Sequence, residues 1–447
     1  MKTKVHQFDV VLAGGGPAGI AAALSAARAG ARVALIEATG AFGGMSTTGL
    51  VPAFCPYTND RKLVIRGIGL EVLEKLIRRG GGFMKKTRPG DITRYDWVRI
   101  NAENLKRLFD EMLLESGAAL RLFTQVTEPV VKRGRITALR TWSKSGQEEW
   151  RAPVFVDATG DADVAARAGA PFAKSARMQP STVCFTIAGL DGKAADRVFD
   201  YHAPQGRLFG KIVREASLAG RLSGKFDHHH CANKVVADYT AVGFNYKHQE
   251  GTDGTDAASL TRAILEGRRQ AEELRDFLAR RVKGCRGGFL ASTAELVGVR
   301  ETRRIVGDYV MDAEHFWKRT KSVDDIASYC YYIDIHDTPK GTKAVAAYRH
   351  AHATNVLPPG EHYGIPYRAL IPRKLENLLV AGRSISCDRA MQGSVRVMPA
   401  AFATGEAAGL AAAMAARKKS GVREVDVRRL QDRLVRQGAF IDLAGKG

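Results

Sequence analysis

Three glycines, Gly14, Gly16 and Gly19, fall at the G-x-G-x-x-G spacing directly after a short apolar run at residues 8–13. Sequence rich in Ala and Leu follows to Ala29, Gly30 closes it as a C′ glycine would, and a second β-type run ends at Glu37. Strand, glycine turn, helix and strand in that order make a complete βαβ unit. The chemistry of such a unit is phosphate binding. Gly14 permits the tight turn, Gly16 lets the backbone approach a pyrophosphate, and Gly19 allows helix and strand to pack closely. Pro17 and Ala18 open the helix, whose free N–H groups and positive dipole end then face the phosphates. Glu37 is placed to accept hydrogen bonds from ribose hydroxyls and would repel a 2′-phosphate. The motif alone is weak; with its strands, its helix and its acid it predicts an adenine dinucleotide site.

Downstream segments bear on which dinucleotide. Gly43 and Gly44, followed by Met45 and Thr47, let the backbone run close to a long cofactor that continues toward an isoalloxazine. An apolar strand at residues 154–157 ends in Ala158, Thr159, Gly160 and Asp161. A return strand at residues 378–381 reaches Gly382 and Arg383, and residues 393–399 lead into an Ala-rich helix with Pro399 in its first turn. The N-terminus of that helix would stabilise an anionic reduced ring, helped by Arg396 or by the amides of Val395 and Val397.

Taken together, these segments resemble the glutathione-reductase-type FAD superfamily, and within it the bacterial FAD-dependent oxidoreductases related to fumarate reductase and succinate dehydrogenase flavoproteins. Residues 14–37, 43–50, 157–161, 299–304, 333–336, 363–372 and 377–399 carry the resemblance, in the expected order over nearly the whole chain. It implies an α/β fold: a Rossmann-type, glutathione-reductase-like FAD-binding domain with a β-meander and an inserted α+β substrate or cap domain. It implies FAD as cofactor, and adds Val126 and Ser394 to the expected FAD contacts.

Direct hydride exchange with a flavin needs a substrate held over N5, a group for the accompanying proton and charges to orient the substrate. The candidates are Arg300, in a cluster with Arg303 and Arg304 suited to clamping a carboxylate; His336, spaced to share a strand face with Asp334; Tyr367, beside Tyr363 and Arg368; and Arg396. No second G-x-G-x-x-G unit follows, so the substrate is expected to meet the flavin directly, with oxygen, a quinone or a carrier protein as external acceptor. Three successive histidines within residues 227–230 would point in different directions on any regular element, and no metal is expected. The reading is hydride transfer between a small polar, possibly anionic, substrate and flavin N5. Two others stand beside it: a flavoprotein that binds or modifies RNA, and an electron-relay subunit that needs a partner.

The elements that position these residues divide the 447-residue chain into a first FAD-binding part at 1–175, a substrate or cap region at 176–367, a C-terminal FAD-binding part at 368–420 and an amphipathic tail at 421–447. Residues 120–126, 129–132, 136–142, 149–151 and 154–157 read as a meander. The run at 400–416 is too short and too weakly apolar to span a bilayer, and the polar start of the chain carries no signal core, so a cytoplasmic location is expected. Homo-oligomerisation is compatible with the sequence. Six cysteines without any CxxC pair argue against clusters and dithiol chemistry. A formal charge of +21 suits a solvated basic surface, an anionic substrate or, less readily, a nucleic acid.

Overall fold

A computed structural model describes residues 3–200, 208–223, 231–336 and 355–443. The first strand of its central sheet, Val10–Ala13, is wholly buried, with Val10 and Leu12 packed on the helical side and Val11 and Ala13 packed against Leu139 and Trp150 of a second sheet. The central sheet is parallel, in the order Leu378–Val380, Val154–Asp157, Val10–Ala13, Val33–Ile36, Ala119–Arg121. The return strand thus lies at one edge, two places from the glycine-turn strand, although more than 360 residues separate them in sequence.

The meander differs from its sequence-based outline. Residues 120–126 do not form one strand: Ala119–Arg121 joins the parallel sheet, and Phe123, at φ 52°, turns the chain before Gln125–Lys132 begins. Val154–Asp157 also leaves the meander for the parallel sheet, where all four residues are buried. What remains is a four-stranded sheet of Gln125–Lys132, Arg135–Ser143, Gly146–Arg151 and the N-terminal strand Lys4–Gln7, which pairs parallel to Gly146–Arg151. The polar Lys4–Gln7 gives no apolar signal of this role.

Two helices pack beneath the parallel sheet. Pro17–Arg28 has proline in its first turn, and Met398–Lys418 is an almost entirely buried Ala/Gly helix. They cross so closely that a Cβ on Gly405 or Gly409 would stand 2.1 Å from the carbonyl oxygens of Ala18 and Ala22. Only small residues permit that approach. A second core surrounds Phe185, Phe244 and Leu274, between an antiparallel sheet ordered Cys231–Lys234, Ala241–Asn245, Phe185–Ala188, Phe289–Thr293 and the helix Ala257–Arg281. Asp256 caps that helix by accepting from the Ser259 amide. The amphipathic tail forms a helix, Val427–Arg436, which buries Leu430 and Leu434 against the first core. Among the described residues no single helix is long and apolar enough to cross a membrane.

Candidate active site at the glycine turn

The glycine turn opens onto a cavity of about 590 Å³. Gly14, Gly16, Pro17 and Ala18 line it on one side, with Glu37 and Val126 beyond them. Gly14 needs its glycine twice over, because φ is +95° and a Cβ would stand 2.4 Å from the Ala158 carbonyl oxygen. Gly19 does not face the cavity; a Cβ there would stand 1.8 Å from the Gly14 carbonyl oxygen, so its role is helix–strand packing. Gly16 is different. Its φ of −72° suits any residue, and an added Cβ would meet no protein atom within 4 Å. Nothing in the protein demands glycine there, whereas a ligand lying on the amides at the helix start would. The residues fit a dinucleotide pyrophosphate on that ground.

Glu37 does more than close its strand. Its Oε2 accepts from the Gly15 amide at 2.6 Å and its Oε1 from the Thr39 amide at 2.7 Å, tying the turn to the strand end. Each oxygen keeps a lone pair beyond these bonds for a ribose hydroxyl.

Gly44 and Met45 line the cavity, whereas Gly43 and Thr47 stand behind them; the Gly43 amide donates to Gly15 O and the Thr47 hydroxyl to Phe42 O. Ala158, Gly160 and Asp161 form the next stretch of wall. Their loop is held from below by Asp157, which accepts from the Thr159 amide and hydroxyl and from the Ala165 amide. Burial raises the Asp157 pKa even so. Asp161 accepts from Arg383 at 2.7 Å and from the Thr302 hydroxyl at 2.7 Å, while Arg383 also donates to Val299 O. Gly382, Arg383, Val397 and Met398 line the cavity, so the long C-terminal helix aims its N-terminus at it, as the position of Pro399 predicts. Ser394 and Val395 are buried behind the wall; Ser394 lies 2.6 Å from the Tyr363 hydroxyl and donates to Tyr331 O.

Of the four catalytic candidates, Arg300 and Arg396 reach the cavity. Arg300 donates to Pro180 O at 2.8 Å and to the Thr182 hydroxyl at 3.0 Å, which holds its guanidinium against the wall. The rest of its cluster is structural: Arg303 pairs with Asp163 and Arg304 with the fully buried Glu301. Tyr367 is a correction. It is buried away from the cavity and its hydroxyl donates to Val422 O, because the short turn it begins faces the C-terminal segment.

His336 also stands behind the wall, and residues 333–336 are not a strand, yet its pairing with Asp334 is real. Three groups converge on the Asp334 Oδ2: Arg396 at 2.8 Å, His336 Nε2 at 2.9 Å and the Tyr331 hydroxyl at 3.2 Å. Burial drives the His336 pKa down to about 4, against the opposing pull of Asp334, so the ring is neutral near pH 7. Its Nε2–H then donates to Asp334, leaving Nδ1 to accept from His248 Nε2 at 3.1 Å. His248 was not found by sequence reasoning, for it lies in a loop 88 residues away with no motif around it. Missed as well were Thr124 and Gln125 beside Val126, and the wall formed by Leu260, Ile264 and residues 295–299.

Residues 227–230, with their histidine run, lie outside the described residues. Among the described residues no three His, Cys, Asp or Glu side chains are grouped to hold a metal. Cys55 and Cys184 reach the cavity, but burial pushes the Cys184 thiol up to about 12 and the Cys55 thiol well above its ordinary value.

The chain is similar to two curated archaeal proteins over part of its length. It is 27% identical over 246 residues to the digeranylgeranylglycerophospholipid reductase of Methanoculleus marisnigri, covering 49% of this chain and 57% of that one. It is 27% identical over 190 residues to digeranylgeranylglycerophospholipid reductase 1 of Methanopyrus kandleri, covering 40% and 45%. The chain thus spans about half the length of these relatives. Among solved structures, a geranylgeranyl bacteriochlorophyll reductase-like protein from Thermoplasma acidophilum aligns over 97% of this chain and 83% of its own, with a TM-score of 0.44 and 10% identity. The family described as FAD dependent oxidoreductase matches residues 9–434, nearly the entire chain. On that match, the chain belongs to the FAD dependent oxidoreductase family and is a flavoprotein whose cofactor is FAD.

Proposed function

We propose that the chain is an oxidoreductase in which substrate and FAD share one cavity, so that hydride passes directly between them and an external partner (oxygen, a quinone or a carrier protein) completes the cycle. The observation that carries this reading is the joining, in one cavity, of the glycine turn, the N-terminus of Met398–Lys418 and the cationic side chains Arg300 and Arg396. Bound there, FAD supplies two-electron chemistry at its N5. Gly14, Gly16, Glu37, Asp161 and Gly382 would hold it. The helix N-terminus presents unpaired amides and partial positive charge where negative charge gathers on reduction. Arg396, fixed by Asp334, and Arg300, fixed by Pro180 O and Thr182, orient substrate without rearranging during the reaction. His336 does not line the cavity. It acts as a positioning residue, its Nε2–H locking the carboxylate that locks Arg396. On this reading the parts at 1–175 and 368–420 would carry most of the cofactor wall and the part at 176–367 most of the substrate wall, although Met311, Phe316 and Tyr329 of that part pack in the core of the parallel sheet.

The test is anaerobic mixing of the purified protein with hydroxy acids, amines, polyenes and enoates, the last two after photoreduction. Loss or return of the visible flavin band with some substrate, without any protein partner, is the expected result. A band unchanged by every compound, yet bleached once a cell extract fraction is added, would instead establish an electron-relay subunit.

A further inference from the structure

A buried acid that the proposed chemistry does not use lies beneath the C-terminal segment. Glu406, inside Met398–Lys418, is only 2% exposed. Its Oε2 accepts from the Ile68 amide at 2.9 Å, while its Oε1 is buried and accepts no hydrogen bond among the described residues. The carboxyl lies against the bare Cα of Gly67, where a Cβ would stand 2.4 Å from Oε2. Beside it is a cavity of about 10 Å³, the room of a single water, walled by Val64, Ile326 and Leu434. Ala439 and Phe440 complete the wall from residues 438–443, a segment outside any helix or strand. Few contacts hold that segment. The Gly67 amide donates to Gly438 O, and the Phe440 ring lies beside His362 and under Lys62. Asp442 pairs with His362 at 2.8 Å and Lys321 at 3.2 Å, and its amide donates to the Ser328 hydroxyl.

We infer that residues 438–443 form a pH-sensitive strap, closed over Glu406 while that carboxyl is protonated and released as it ionises. A carboxylate here would put charge on an oxygen that no donor meets, among side chains that are apolar apart from Arg66 at the cavity mouth. Arg28 favours ionisation, but it is paired with Glu71, whose own charge opposes it. Lifting the strap is the easiest relief, because its contacts are mostly half-exposed and water and Arg66 then reach the carboxylate. Burial accordingly raises Glu406 to about 7 in the closed form. An open form with an ordinary carboxyl near 4.5 holds fewer protons, so opening grows with pH from about 4.5 and levels off near 7. His362 has the opposite sign: burial lowers it in the closed form, so a freed ring charges below about 6.5 and favours opening toward acid. At Asp442 burial is outweighed by Lys321 and His362, and the lowered carboxyl stays ionised across this range. Asp325, also raised to about 7 by burial, feels Asp442 but is common to parent and Glu406 variants. The strand that receives the strap, Asp325–Tyr329, continues to Tyr331 and Asp334, so the strap grips the segment that anchors Arg396.

Hydrogen exchange of the FAD-loaded protein, read by mass spectrometry on C-terminal peptides and corrected for the intrinsic rate, measures strap opening. Opening in the parent divided by opening in Glu406→Gln should rise about tenfold or more in total between pH ~5 and ~7, by no more than about tenfold per pH unit, and stay level above. Val427–Arg436 and Met398–Lys418 should remain protected throughout. His362→Gln should steepen the parent's own rise. A ratio that does not change with pH overturns the inference, and so does a change shared by the two helices, which would be unfolding of the whole chain. Should Glu406→Gln fail to fold, the His362→Gln protein decides alone: its strap must open further as pH rises from about 5 to about 7, and a flat profile overturns the switch.

Discussion

The two walls of the cavity are made differently. The cofactor wall is largely backbone: glycines, amides and a helix N-terminus, seated on a parallel sheet and two helices that touch through Gly405 and Gly409. The wall proposed to face substrate is made of side chains from segments far apart, namely Arg300, Arg396 (held from behind by Asp334), and the apolar Leu260, Ile264 and Leu296. Backbone contacts accept one ligand shape and resist variation, because glycines such as Gly14 are fixed by the backbone beside them and Gly16 by the ligand proposed to lie on it. Side-chain contacts can be rewritten without moving the chain, which is how one scaffold serves many chemistries. The cofactor wall should therefore fail through geometry and the substrate wall through loss of a partner.

Glycine substitutions test the first half and should give the largest effects. Gly19→Val forces a side chain into the Gly14 carbonyl, where even the Cβ would stand at 1.8 Å. The cost should exceed the ~1–3 kcal/mol usual for overpacking and appear as loss of folded protein. Gly16→Val should leave the melting temperature of the flavin-free protein unchanged, since no protein atom lies within 4 Å of the new Cβ. FAD affinity should nonetheless fall about a hundredfold, roughly 2.7 kcal/mol. Equal stability loss in the two variants would show that Gly16 serves the fold and not the ligand.

On the other wall, Asp334→Ala removes the acceptor for Arg396, His336 and Tyr331 at once. Asp334 and Arg396 are both nearly buried, so a charge is left without its partner, at a cost of about 3–5 kcal/mol by chemical denaturation. FAD stoichiometry should hold. A loss below ~1 kcal/mol would mean that Arg396 finds another acceptor, and that the wall is looser than its hydrogen bonds indicate.

The same contrast explains what could be read from the chain alone. The residues proposed for the cofactor wall can be picked out of the sequence because they are local: Gly14, Gly16 and Glu37 fall within one βαβ unit, and each residue type carries its own physical reason. Gly19, Thr47 and Ser394 belong to the same motifs but serve them from behind, a distinction that spacing does not encode. On the substrate wall, the Asp334–His336 contact was visible as an i, i+2 pair, although the backbone there is not a strand. His248 and Ile264 were invisible, because only the tertiary fold brings a loop histidine and a helix isoleucine to this cavity. Tyr367 failed for the same reason: its neighbours in sequence do not say which way a buried ring turns.

The smallest effect expected is one of pH, and it separates the two sides by sign. Glu406, in the helix beneath the cofactor wall, is buried and its pKa is raised to about 7, although the Ile68 amide donates to it. A carboxyl with a raised folded pKa holds its proton more tightly in the folded state, so the stability it confers is present below about 4.5 and lost as pH rises toward 7. His336, lowered to about 4, does the reverse: its contribution is intact above about 6.5 and lost as pH falls toward 4. Between about 4.5 and 6.5 the two slopes oppose, each bounded by ~1.4 kcal/mol per pH unit. Relative to the parent, Glu406→Gln should therefore make unfolding free energy climb more steeply with pH in that window. His336→Gln should make it climb less steeply or decline. Urea unfolding at several pH values across the window measures both differences. A slope left unchanged by one substitution would show that its side chain ionises in the folded protein as it does in the unfolded chain, and slopes displaced in the same direction would show that one shift has the opposite sign; Glu406, whose burial is opposed by an amide and by Arg28, would be the first to re-examine.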